Sequence, residues 1–220
     1  ILYRLVGSEM CIRDRFKNGK KVELPEDFYS SKFFVDQMIE FIEEENEQGS
    51  PFFAYLSFQA QHIPLQAPQE FIDKYLTRYE DGWEVLREDR KNRAIKKGIF
   101  PENKNIVDSF SDFDNWSEID QENKKIFIKS MAVFAGMLDA MDFHIGRFIN
   151  YLKEEDLYDN TIFIITADNG PEGNDPSDHA PWRDWIKTTI YDRDYDTLGD
   201  QNSYVSVSYT HLTLPTTLSV

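Results

Sequence analysis

Two short polar runs carry the residue types that do chemistry. Asp168-Asn169-Gly170 sets a carboxylate beside a carboxamide oxygen, with a glycine after them. Hard cations such as Ca2+ or Mg2+ take oxygens of this kind. A glycine lets the backbone turn so that both side chains face one site. Asn-Gly is equally a common tight-turn dipeptide, so the run by itself reads as ligand pair or as turn. Gln61-His62-Ile63-Pro64 places a histidine in a stretch stiffened by Pro64 and Pro68. An imidazole can donate a proton to a leaving group or hold an anion near neutral pH. A loop histidine among prolines is also compatible with plain packing or exposure. His144 falls within a helical pattern and packs or faces solvent, and nothing in the spacing around His179 gives it a role. Gly-rich phosphate loops, HExxH and GxSxG are absent.

These runs need elements to position them. Ser30 and Ser31 precede Phe33, Phe34, Met38, Ile39, Phe41 and Ile42, a spacing that predicts a serine-capped amphipathic helix stopping by Gly49. Pro51-Phe-Phe-Ala-Tyr-Leu-Ser-Phe58 is short and almost continuously apolar, and predicts a strand buried on both faces. A loop over 59–68 should lead into a short helix over 69–75. A charged helix over 84–97 should end at Gly98. Residues 98–115 read as irregular. A long helix over 121–153 follows, with Ser117 or Asp120 as cap and a Met-rich stripe read as core. Thr161-Ile-Phe-Ile-Ile-Thr166 predicts a second buried strand. Strands separated by helices predict an α/β fold with a mainly parallel sheet between helices. Ligands of such sheets collect beyond the carboxyl ends of the strands, where both polar runs stand.

Composition narrows the function classes. The 220 residues carry a net charge of -16, which argues against non-specific nucleic-acid binding. No apolar run approaches the length of a membrane span. A single cysteine excludes a disulfide framework and a Cys-rich zinc site.

The two ends read differently from the rest. Residues 5–14 match a translation of CTC GTG GGC TCG GAG ATG TGT ATA AGA GAC, which resembles a transposase-type sequencing adaptor. The reverse complement of its last fifteen bases encodes Val-Ser-Tyr-Thr-His, which stands at Val207 to His211. Residues 1–15 and 206–220 are therefore expected to be adaptor-derived, leaving 16–205 as a partial catalytic domain truncated at both ends.

Taken together, four segments resemble the sulfatase family, the arylsulfatase-like branch of the alkaline-phosphatase-like superfamily. Residues 51–68 are similar to its strand-plus-histidine segment, and 81–90 to the helix after that loop. Residues 131–146, with Ala135, Met137, Asp139, Met141 and Asp142, are similar to its long helix, and 159–173 to its metal-ligand strand. The resemblance implies an alkaline-phosphatase-like fold and hydrolysis of a sulfate ester by a formylglycine hydrate. It implies a divalent cation, Ca2+ or else Mg2+, bound to the nucleophile and to a sulfate oxygen. Asp168 and Asn169 match two of the metal ligands. His62 matches the histidine that contacts sulfate and protonates the departing oxygen. The implied substrate is a sulfated small molecule or sulfated carbohydrate, and the implied location is periplasmic or extracellular.

There are departures. Gln61 stands where the family often has proline, a change that would loosen the His62 loop. The formylglycine motif, Cys or Ser followed by x-Pro/Ala-x-Arg, does not occur, and Cys11 lies in the adaptor-like end. That motif, an Asp pair and a Lys-x-His pair are expected upstream, and a late lysine downstream, so the piece alone is expected to be inactive. Two other readings stay open. One is a phosphoester hydrolase of the same superfamily, and the other is a non-catalytic, calcium-stabilised binding domain.

Overall fold

The computed structural model describes residues 15–45, 50–62, 65–102, 115–167 and 194–200. A hairpin opens the described chain, with β1 (Arg15–Lys17) antiparallel to β2 (Lys20–Val22). Asn18 and Gly19 both take positive φ, 51° and 74°, as a two-residue hairpin turn requires. Helix α1 (Ser30–Glu45) follows. Ser30 and Ser31, expected to cap it, both lie inside its first turn, and Ser31 is buried. Helix α2 (Gln69–Ile72) runs on as a 3-10 turn over Asp73–Tyr75. Helix α3 (Gly82–Lys96) ends at Gly98, whose φ of 69° closes the last turn by donating to the Ile95 carbonyl. Helix α4 (Gln121–Glu154) begins where Asp120 accepts from the Asn123 amide at 2.9 Å.

Contacts group the chain into two compact units, Ile1–Gln59 with Met141–Asp159, and Ala60–Ala140 with Asn160–Val220. In the first unit Val35 and Ile42 of α1 pack with Phe148 and Leu152 of α4, with Leu56 and Phe58 against them. In the second, Leu65, Ala67 and Ile72 pack with Ala132, Val133 and Met137 of α4 and with Leu198. Each fully buried aliphatic side chain contributes about 1.5–3 kcal/mol. Met131 and Met137 are both buried, as a core stripe requires, but Leu138 is exposed.

The two expected strands differ from the expectation. Residues 51–58 and 161–167 have no strand pairing, and the only sheet among the described residues is the β1–β2 hairpin. Residues 51–58 are not buried on both faces. Leu56 and Phe58 pack inward while Phe53 is 92% and Tyr55 73% exposed, the alternation of an extended chain with one covered side. Ile162, Ile164 and Ile165 are 90%, 85% and 89% exposed. A parallel ladder needs neighbouring strands brought in by crossovers, and the described residues supply none beside these two segments.

Candidate functional site

His62 sits in a bend of the second unit and is exposed. The nearest described residues on either side of it pack against the core. Before it, Ala60 packs against the core built on Ile72 and Val133. Gln61 then donates from its side-chain amide to the main-chain carbonyl of Phe134 on α4, at 3.2 Å. After it, Leu65 is 1% exposed, and the Ala67 amide donates to the Gly199 carbonyl at 3.2 Å. The Pro68 carbonyl then accepts from the amides of Phe71 and Ile72 and starts α2. Gln61, which stands where a proline was expected, is thus bonded to α4.

Helix α4 also holds the stretch 194–200. Lys129 is buried, and its ammonium donates to the carbonyls of Tyr195 and Asp196. Its charge also lies 4.8 Å from the centre of the Tyr195 ring. Gly199, at φ 97°, lies so close to Ile72 and Val133 that a Cβ there would come within 2.8 Å of both side chains. Farther along α4, Lys74 pairs with Asp139 at 2.8 Å, and this carboxylate raises the lysine pKa.

The first unit contains a separate polar cluster. Arg147 donates to Asp36 at 2.6 Å and meets His144 Nδ1 at 3.0 Å, while Lys32 reaches Asp36 at 3.2 Å. A guanidinium only donates, so Nδ1 of His144 is the acceptor in this contact. His144 is 6% exposed and lies against the rings of Tyr29 and Phe143, which settles it as a packed residue. Burial pushes the Asp36 carboxyl upward, but hydrogen bonds from Arg147 and Lys32 outweigh this and hold it below its ordinary value.

Asp168, Asn169 and His179 lie outside the described residues. Among the described residues no three His, Cys, Asp or Glu side chains gather to hold a metal. No helix there is long and apolar enough to cross a membrane.

The sulfatase family model matches residues 7–215. The chain belongs to the sulfatase family. An uncharacterised sulfatase of Schizosaccharomyces pombe is 36% identical over 181 residues, covering 81% of this chain and 32% of that protein. An arylsulfatase of Klebsiella aerogenes is 32% identical over 190 residues, covering 86% of this chain and 40% of that protein. A multifunctional alkaline phosphatase superfamily protein of Trinickia caryophylli is 26% identical over 161 residues, covering 71% and 30%. The chain thus spans roughly a third of the length of these relatives. Family membership implies the alkaline-phosphatase-like α/β fold, although the described residues are mainly helical.

Proposed function

We propose that the protein to which this chain belongs hydrolyses sulfate esters, with a sulfated small molecule or carbohydrate as substrate. The observation that carries this reading is the family match across residues 7–215. His62 is the proton donor. As the S–O bond to the alcohol breaks, the electron pair stays on the bridging oxygen. The imidazolium proton of His62 then passes to that oxygen and the alcohol leaves neutral. An exposed histidine between two residues that pack on the core, Ala60 and Leu65, suits this task, because substrate can reach it. Asp168 and Asn169 would hold a divalent cation, for which a carboxylate and an amide oxygen are fitting hard donors. A cation there would draw charge from a sulfate oxygen, and a formylglycine hydrate would supply the nucleophile. Negative net charge does not oppose an anionic substrate, since local cationic groups dominate the field at the site.

A second reading, phosphoester hydrolysis, is favoured by the likeness to the phosphatase-superfamily protein of Trinickia caryophylli. The intact protein, given 4-nitrophenyl sulfate and 4-nitrophenyl phosphate under identical conditions, decides between them. Sulfate release exceeding phosphate release is the expected outcome. The reverse order of rates would replace the sulfatase reading by the phosphoester one.

A further inference from the structure

We propose that Gln61 is a positioning residue that sets the orientation of His62 by tethering its loop to helix α4, an inference that rests on His62 being the proton donor. Gln61 and Phe134 stand 73 positions apart, and the 3.2 Å bond from the Gln61 amide to the Phe134 carbonyl joins them. The acceptor is main chain, and it belongs to a helical turn whose neighbours Val133 and Met137 are buried in the core. It is therefore a fixed point and not another mobile side chain. The bond is partly buried, so water competes for it less than at an open surface. Ala60 before the histidine and Leu65 after it both make core contacts. Gln61 adds a third point of attachment, one peptide unit from the histidine. Proton transfer demands that a donor be held to about half an ångström. A misplacement of about 1 Å can cost on the order of a hundredfold in rate.

The inference separates from simple packing by its dependence on the leaving group. An alkoxide needs a proton to depart, whereas 4-nitrophenolate does not. In the intact enzyme, Gln61→Met keeps the length of the side chain and removes the donor. Gln61→Glu keeps the size and sets a carboxylate against the carbonyl. Both variants are expected to lower kcat on an alkyl sulfate about ten- to a hundredfold. On 4-nitrophenyl sulfate they should lose far less, and KM should stay close to wild type on both esters. His62→Ala run alongside should show the same selectivity more strongly. Equal losses on both esters, no loss on either, or failure of both Gln61 variants to fold would overturn the positioning role and leave His62 untouched. A His62→Ala variant without leaving-group selectivity would overturn the proton-donor reading, and the role of Gln61 with it.

Discussion

Asp36 stands between two cations, Arg147 at 2.6 Å and Lys32 at 3.2 Å, and its carboxyl is held below its ordinary value despite the opposing effect of burial. A depressed folded pKa stabilises the folded state above the unfolded value, near about 3.9. That stability is lost as pH falls through the lower folded value. Solvent reaches this pair, so the contribution is about 0.5–1 kcal/mol. Urea unfolding of Asp36→Asn should therefore show a deficit of that size at pH 7 that narrows towards pH 3. A deficit of equal size at both pH values would mean that the charge of Asp36 is not what stabilises. At this scale the sequence was partly legible. His62 stood out because few side chains donate protons near neutrality. The role of Gln61 was hidden, since its partner is a backbone carbonyl 73 residues away. Lys129 was hidden for the same reason, its carbonyl partners lying 66 and 67 positions on.

At the scale of elements, the helices were legible because apolar residues at helical spacing must share a face, and α1, α3 and α4 lie close to the expected spans. The β1–β2 hairpin was missed although Asn18-Gly19 is a strong hairpin signal. The runs 51–58 and 161–166 could not be judged from composition, because a strand is completed by partners distant in sequence. Two glycines of α4 make a paired test. A Cβ on Gly136 would come within 3.0 Å of the Ile72 nitrogen and the Phe71 carbonyl carbon, backbone atoms that cannot swing aside. A Cβ on Gly146 meets no described atom within 4 Å. Replacing a mid-helix glycine by alanine gains about 1 kcal/mol of helix propensity, while overpacking costs about 1–3 kcal/mol. Thermal unfolding should show Gly136→Ala less stable than wild type and Gly146→Ala slightly more stable. Stabilisation by both would mean that α2 does not press on α4 at Gly136.

For the whole molecule, family membership rests on 7–215, while the described residues bring only part of the expected site into view. His62 has a place in an exposed bend of one unit, and Asp168 and Asn169 fall outside the described residues. The parallel sheet expected beneath them has no described ladder. Order and spacing of four segments made the family legible, because that pattern is far more specific than a lone Asn-Gly or His-x-Pro. The central claim is that sulfate ester hydrolysis in the intact protein depends on His62 and Asp168. Its most direct test is the rate of sulfate release from a poorly activated sulfate ester, compared between wild type, His62→Ala and Asp168→Ala. The account predicts release by the wild type and a loss on the order of a hundredfold or more in each variant. Wild-type rates in both variants would contradict it.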